Sequence, residues 1–304
     1  MKKIRIIIFN FLIIIFLLVG AEAYFYNKNT KNVIHSSKAH YFVTKKDFSM
    51  ENLKESMREP FGTNKNYKKR PILIYGCSFA YGDKLPKEET FGSLLSEKSK
   101  RPVYNFAMPA RGLQHALYLL ENDKKVTPEP EYIFYVFISD HARRIYMNCN
   151  IIDDHKYLYY HLKNGKLVLQ NNYYDISERF YILKELKNTL YSILKKIFEE
   201  KIYQDVKTYF ITIKDTAKEK YPNAKFVIIN YNIDNTTILT IPRQKELEQN
   251  GIEIINLRNE IKDNTNKDLK ADEFRISADI DFYKHPNGKA WEVVSEYLCQ
   301  KYNL

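Results

Sequence analysis

Two residues far apart in the chain, Ser78 and His285, have side chains suited to nucleophilic acyl transfer. A serine hydroxyl is a weak nucleophile near neutral pH and needs an adjacent base, and histidine, with an ordinary pKa of about 6.5, suits that duty. Asp281 lies four residues before His285, where a carboxylate can orient the imidazole and stabilise its charged form. These residue types predict an ester-cleaving or acyl-transferring site, with Ser78 as nucleophile, His285 as base and Asp281 as the partner of the base; Asp279 is the alternative carboxylate.

The segments around Ser78 and His285 favour this interpretation. Ser78 lies in the heptapeptide Gly76–Gly82 (GCSFAYG), directly after a short apolar run. A serine on a strand-to-helix turn holds its hydroxyl at the top of a sheet, and flanking glycines permit the tight turn. Backbone N–H groups in such a turn can face a developing oxyanion. A plain turn with Ser78 as a helix cap is the structural alternative. His285 directly precedes Pro286, which predicts the start of a final helix.

Five apolar runs provide the elements that must position these residues. Each is apolar on both faces, as buried parallel strands are, and helical patterns lie between them. This alternation predicts an α/β fold with a doubly wound parallel sheet. Sites in such sheets lie beyond the carboxyl ends of the strands, so two distant segments can meet there. The runs are Pro71–Tyr75, Val103–Ala107, Tyr132–Ile138, Lys225–Tyr231 and Ile252–Leu257.

Three blocks of the sequence resemble the SGNH/GDSL hydrolase family. The resemblance covers most of 71–304 but not the segment 147–206. It implies a flavodoxin-like three-layer sandwich around a parallel sheet, a serine esterase or acyltransferase activity, and catalytic residues in the chain order Ser, Asp, His. The chain is similar to exported, membrane-anchored bacterial members of the family. The blocks are Gly76–Gly82 with Glu89–Phe91, Val103–Gly112, and Asp281 with His285–Asn287.

The second block implies part of an oxyanion-binding site. The family glycine whose N–H group contacts the oxyanion aligns with Ala110, shortly before Gly112. A backbone N–H survives the change from glycine to alanine. The resemblance therefore implies that the N–H groups of Ser78 and Ala110 hold the oxyanion.

The segment after the third predicted strand departs from the family pattern. The family has an asparagine after the third strand that donates to the oxyanion, and Asp140 falls at that position. An ionised carboxylate cannot donate, and loss of one donor lowers the rate by a factor of ~100 to 1,000. Either Asp140 binds Arg143 or Arg144, or His141 becomes the donor; the two arginines are also candidates for binding an anionic substrate. A weak or inactive domain of the same fold, which binds a surface glycan or an assembly partner, is the alternative function.

The first 25 residues have the pattern of an export signal. A basic end precedes an apolar run over 6–21, which is short of the ~20 residues of a full span. Ala21–Ala23 resembles a cleavage site, but the central glutamate favours an uncleaved anchor. Either alternative places the following chain outside the cytoplasmic membrane, with the basic end inside. The basic residues are Lys2, Lys3 and Arg5.

The predicted domain organisation has three parts: a signal anchor or signal peptide at 1–25, a polar spacer at 26–70, and the hydrolase-like domain at 71–304. An insertion at about 147–206 interrupts the domain. Its tyrosines and its lysine-rich helical pattern are compatible with a lid, a substrate platform or a dimer surface.

The composition of the chain indicates which binding partners to expect. The net charge of +11 comes from basic residues spread along the whole chain, so we expect no nucleic-acid partner. The three cysteines form no CxxC pair, and the spacing of His141, His155 and His161 does not favour ligation, so we interpret these histidines as solvated loop residues. We therefore expect neither a metal nor a cofactor. The expected partners are an acylated glycan or other ester substrate and, through the N-terminal segment, the membrane.

Overall fold

The computed structural model describes residues 61–62, 67–109, 111–122, 125–146, 151–153, 156–170, 199–231, 238–277, 281 and 285–304. Apart from Glu199, these belong to one compact unit formed by Asp47–Asn172 and Glu200–Leu304. The predicted membrane segment lies outside the described residues, as does most of the predicted spacer. No helix within the described ranges has the length and apolarity needed to cross a membrane.

The described residues form eight strands and eight α-helices. The strands are β1 Ile72–Tyr75, β2 Val103–Asn105, β3 Tyr132–Phe137, β4 Ile151–Asp153, β5 Lys156–Lys163, β6 Lys166–Gln170, β7 Lys225–Asn230 and β8 Glu253–Asn256. The helices are α1 Ser78–Tyr81, α2 Phe91–Ser99, α3 Leu113–Asn122, α4 Asp140–Tyr146, α5 Glu199–Lys220, α6 Ile241–Gln249, α7 Leu257–Thr265 and α8 Gly288–Tyr302. Short 3₁₀ turns cover Lys87–Glu89 and Asp272–Phe274.

Five strands form one sheet in the order β2-β1-β3-β7-β8. Every neighbouring pair in this sheet is parallel. Counted within the sheet alone, the order is 2-1-3-4-5, which is the flavodoxin-like order, with its switch point between β1 and β3. The predicted α/β fold with a parallel sheet is confirmed, and each sheet strand lies within a predicted apolar run.

Helices cover both faces of this sheet. Successive strand residues point to opposite faces. Ile72 and Ile74 of β1 therefore join the core under α8, which includes Trp291. Leu73 and Tyr75 join the core on the other side, under α3 and α5. Two apolar cores thus separate three layers, which explains why the strands are apolar on both faces.

The helices α2 and α8 pack against each other on one face. The rings of Phe91 and Trp291 stack with centroids 4.6 Å apart, and both side chains are fully buried. At the surface, Lys98 Nζ lies 2.8 Å from Glu296 Oε1. Because α2 follows the Ser78 turn and α8 follows His285, this packing ties the two segments of the predicted site together.

The predicted insertion is partly described. Within it, β4, β5 and β6 form a second, antiparallel sheet. Residues 171–198 lie outside the described ranges. The predicted end of the insertion at 206 falls inside α5, a continuous helix whose Ile202, Tyr203 and Val206 are already buried in the core of the domain.

Candidate active site

The turn after β1 holds Ser78 at the carboxyl edge of the sheet. Gly76 has a φ of 153°, and a Cβ there would lie 3.0 Å from both Ala80 Cβ and the Val136 carbonyl oxygen. Ser78 begins α1, and Gly82 ends it with a φ of 77° and an N–H that donates to the Ser78 carbonyl oxygen over 3.0 Å. Both glycines of the motif therefore occupy positions that a side chain would strain.

His285 contacts Ser78 across 207 residues of sequence. The Nε2 atom of His285 lies 2.7 Å from the Oγ atom of Ser78. The side chains are nearly enclosed, since Ser78 is 8% exposed and His285 is 4% exposed. With the imidazole proton on Nδ1, the serine hydroxyl donates to Nε2, so the base is in place to accept the serine proton.

The segment that carries His285 is fixed by backbone and side-chain hydrogen bonds. The N–H of Ile276 donates to the His285 carbonyl oxygen over 2.9 Å. Asn287 caps α8 by accepting from the Ala290 N–H at 3.1 Å, and its amide donates to the Glu273 carbonyl oxygen at 2.8 Å. The helix was predicted from about Pro286 and begins at Gly288, because Asn287 is the N-cap.

Asp281 accepts two hydrogen bonds from His285. Its Oδ2 atom lies 2.5 Å from the ring Nδ1 and 2.5 Å from the backbone N of His285. Asp281 is fully buried, and its own N–H donates to the Ser277 carbonyl oxygen over 2.8 Å. The four-residue spacing therefore lets one carboxylate oxygen orient both the backbone and the ring of the histidine. Asp279, the alternative carboxylate, lies outside the described residues.

Two further side chains, Phe79 and Lys84, contact His285 and Asp281, and the sequence alone assigned neither of them a role. The ring of Phe79 packs against the imidazole of His285 with centroids 4.7 Å apart. The Nζ atom of Lys84 lies 3.3 Å from the Oδ1 atom of Asp281, whereas His285 contacts the Oδ2 atom. Phe79 lies inside the recognised motif, whereas no local pattern could link Lys84 to a carboxylate 197 residues away.

Asp140 pairs with the two arginines of its own helix. Its Oδ1 atom lies 2.5 Å from Arg143 Nε, and its Oδ2 atom lies 2.7 Å from Arg144 Nε. Burial alone would raise the pKa of Asp140, but the Arg144 and Arg143 guanidinium groups outweigh it and hold the pKa below its ordinary value. Of the two predicted alternatives, this geometry favours the one in which Asp140 binds the arginines.

His141 lies in the apolar core. Its ring is fully buried, with Nδ1 2.8 Å from the Tyr135 hydroxyl and Phe137 edge-on at 5.5 Å. Burial lowers the pKa of His141 well below its ordinary value, and the charge of Arg144 acts in the same direction. The surrounding rings argue against His141 as an oxyanion donor. The expectation of a solvated loop histidine is wrong for His141, because α4 turns its ring into the core.

Arg144 joins the loop after β2 to α4. Its Nη1 atom lies 2.5 Å from the Arg111 carbonyl oxygen, and a Cβ on Gly112 would lie 3.4 Å from the Arg144 Cβ. Gly112 is buried directly before α3. Arg143 is the more exposed arginine, with 41% of its side chain accessible. Ala110, the predicted oxyanion N–H, lies outside the described residues.

The fold and the site together define a class of protein: a flavodoxin-like α/β sandwich with a hydrogen-bonded serine, histidine and aspartate at the switch point of its sheet.

No group of three His, Cys, Asp or Glu side chains that could hold a metal ion occurs among the described residues. No protein-family model matches the chain, and no curated protein matches it.

Solved structures that resemble the chain include esterases and lipolytic proteins. A lipolytic protein of the G-D-S-L family from Desulfitobacterium hafniense is 12% identical, with 76% of this chain and 99% of that chain covered and a TM-score of 0.43. A member of the same family from Veillonella parvula is 11% identical, with 76% and 97% covered and a TM-score of 0.44. A family 3 carbohydrate esterase from Clostridium thermocellum is 9% identical, with 76% and 94% covered and a TM-score of 0.42.

Proposed function

We propose that the chain is a serine esterase or acyltransferase of the SGNH/GDSL type, with Ser78, His285 and Asp281 as its catalytic residues. The observation that carries the proposal is the pair of short contacts on the imidazole, 2.7 Å to Ser78 Oγ and 2.5 Å to Asp281 Oδ2. A serine next to a base that a carboxylate orients is the arrangement that acyl transfer requires.

The proposed reaction has two steps. Ser78 Oγ attacks the acyl carbonyl carbon while His285 Nε2 takes the hydroxyl proton, and the N–H groups of Ser78 and Ala110 stabilise the oxyanion. Collapse of the intermediate breaks the ester bond, and His285 returns the proton to the leaving alcohol. Water or a second alcohol then attacks the acyl-serine, with His285 again as the base, and Ser78 is released with its proton.

The proposed substrates are acyl esters, above all O-acetyl esters, of an extracytoplasmic glycan or lipid. The basic and apolar pattern at 1–25 supports a site on the outer side of the membrane, and the resemblance of the motif blocks to exported family members supports the acyl group.

Substitution of the three residues in the full chain, purified in mild detergent, tests the reaction. Ser78→Ala should abolish hydrolysis of p-nitrophenyl acetate and labelling by a fluorophosphonate probe, and His285→Ala should do nearly the same. Asp281→Asn should leave more activity, because the nucleophile and the base remain while orientation of the imidazole is lost. Asp140→Asn belongs to a separate test, since both of its oxygens contact arginines.

Two control variants keep this experiment specific. Ser99→Ala removes another buried serine hydroxyl, which donates to the Leu95 carbonyl oxygen in α2 and should leave labelling intact. Cys77→Ala removes the buried thiol beside the nucleophile and should also change little. Equal hydrolysis by wild type and Ser78→Ala would refute the assignment of the nucleophile. A folded wild type that neither labels nor hydrolyses acyl esters would instead favour a glycan-binding or partner-binding domain of this fold.

The proposed location is the cytoplasmic membrane, with one membrane segment at 1–25 and the domain outside. Protease added to intact spheroplasts should digest the domain after Arg70, because nothing would separate it from the medium. Protection that persists without detergent, together with recovery of the chain in the cytosol, would contradict this proposal.

A further inference from the structure

The carboxylate of Asp281 is contacted from two sides. Its Oδ2 atom accepts from His285, while Lys84 Nζ lies 3.3 Å from its Oδ1 atom. The aspartate side chain is fully buried, and the lysine side chain is only 11% exposed. A buried carboxylate is costly unless it is paired and hydrogen-bonded, and both of these oxygens have a partner.

The backbone directs Lys84 to this position. Lys84 has a φ of 63°, in the left-handed region that residues with a side chain rarely adopt. It follows the end of α1, and the next residue, Leu85, donates its N–H to the Gly82 carbonyl oxygen over 3.2 Å. The turn that begins with Ser78 therefore also carries Lys84, six residues later. Unfavourable backbone conformations persist where the surrounding structure imposes them, and they cluster at functional sites.

We infer that Lys84 is a positioning residue for Asp281. It contacts Oδ1 of the carboxylate, while Oδ2 accepts from His285, and its charge limits how strongly the aspartate stabilises the protonated imidazole. This inference rests on the proposed function. The ammonium group contacts Oδ1 while His285 contacts Oδ2, and the two contacts together oppose rotation of the carboxylate away from the ring. Its positive charge also offsets part of the negative charge that the imidazole meets.

Other groups near the imidazole differ from Lys84 in charge or position. Phe79 contributes an apolar ring, and Tyr231 behind it is a neutral phenol whose pKa burial raises, while the charge of Arg275 opposes that rise. The side chain of Glu89, from the 3₁₀ turn, reaches the first residue of α8, where its Oε2 atom would be 2.8 Å from a Cβ on Gly288. Lys84 differs from these groups because it is a cation in direct contact with the carboxylate that orients His285.

The pH dependence of turnover separates positioning from a merely structural role. The acidic limb of kcat/KM reports protonation of the base in the free enzyme. Lys84→Met removes the charge, which favours the protonated imidazole, so the limb should move to higher pH by roughly 0.5 to 1 unit. Lys84→Arg keeps the charge and should leave the limb near its wild-type position. Lys84→Gln keeps a hydrogen-bond donor without the charge and should move the limb as Lys84→Met does.

The experiment uses the full chain in detergent, with p-nitrophenyl acetate hydrolysis and the rate of fluorophosphonate labelling both measured from pH 5 to 9. Lys87→Met is the matched control, since it removes an exposed lysine three residues away. Fluorescence of the buried Trp291 checks that each variant is folded. The inference is supported if the acidic limb moves to higher pH in Lys84→Met and Lys84→Gln but not in Lys84→Arg or Lys87→Met.

The inference and the proposed function fail in different ways. A wild type without labelling or turnover contradicts the function itself. An active wild type whose acidic limb is unchanged, or moves to lower pH, in Lys84→Met overturns the inference and leaves the proposed function in place. A loss of rate that is equal at every pH in all three Lys84 variants also overturns it, because that is the signature of a purely structural contact.

Discussion

His115 should make the protein sensitive to acid. Its side chain on α3 is 3% exposed, and neither ring nitrogen has a hydrogen-bond partner among the described residues. Burial, with a smaller effect from the charge of Arg111, lowers the pKa of His115 to about 3. The ring is therefore neutral in the folded protein throughout the physiological pH range.

The direction and size of the effect follow from proton linkage. The unfolded chain binds a proton at this histidine near pH ~6.5, whereas the folded chain binds it only near the lowered value. The contribution of neutral His115 to the free energy of unfolding is therefore fully present above pH ~6.5. It is lost as the pH falls toward the folded pKa, at about 1.4 kcal/mol per pH unit. Between pH 8 and pH 5, His115 alone should lower the free energy of unfolding by about 2 kcal/mol.

Urea unfolding measures this loss. The chain has a single tryptophan, the buried Trp291, so its fluorescence reports unfolding of the core. The full chain in detergent is compared with His115→Met at pH 8 and pH 5. Wild type should lose about 2 kcal/mol more than the variant, because methionine fills the site without a titratable group. Other titrating groups, including the buried His141, contribute equally to both proteins and cancel in the difference.

Leu117→Met is the matched control, since it changes another buried residue of α3 without removing a titratable group. Its loss of stability between pH 8 and pH 5 should equal that of wild type. If His115→Met loses as much stability as wild type over this range, the ring is not held neutral in the folded protein, and the reasoning is refuted.

Three further substitutions test contacts near the site. Asp140→Asn should lower the free energy of unfolding by about 1 kcal/mol and reduce esterase activity, because its two charge-assisted hydrogen bonds weaken; higher activity would instead indicate that a carboxylate opposed the oxyanion. Gly82→Ala should lower the urea midpoint and slow fluorophosphonate labelling, since φ is 77° and the new Cβ would lie 2.7 Å from the Thr90 Cγ2 atom. An unchanged urea midpoint in Gly82→Ala would contradict the expected strain. Asn105→Ala should lower the free energy of unfolding by about 2 kcal/mol, because the buried Ala80 carbonyl oxygen loses a donor at 2.8 Å; a urea titration that overlays wild type would refute it.

The sequence by itself determined the strands of the sheet. The five predominantly apolar runs indicated strands buried on both faces, and the structure has a strand in each. Local periodicity carries this information because a strand between two helical layers is mostly apolar on both of its faces, and not only at alternate positions. Exact ends were harder to predict, as at α8, where a side-chain cap at Asn287 moves the start of the helix by two residues.

The sequence also contained the chemistry of the candidate site. A serine between closely spaced glycines after a strand, and a histidine before the last helix, are local patterns that the chain order already displays. The pairing of Asp140 with arginines three and four residues later could be proposed as well, because that spacing brings side chains together on one helix face. The choice between the arginines and His141 needed the structure, since a sequence does not say which face of α4 meets the core.

Only the tertiary structure decided which distant groups meet. Lys84 lies against Asp281 because the turn after β1 and the segment before α8 share one edge of the sheet. The burial of His115 likewise depends on how α3 packs over the sheet, and not on the residues beside it in the chain. Periodicity and motifs report what neighbouring residues do to one another, whereas burial and the pairing of charges across long separations depend on strand order and helix packing.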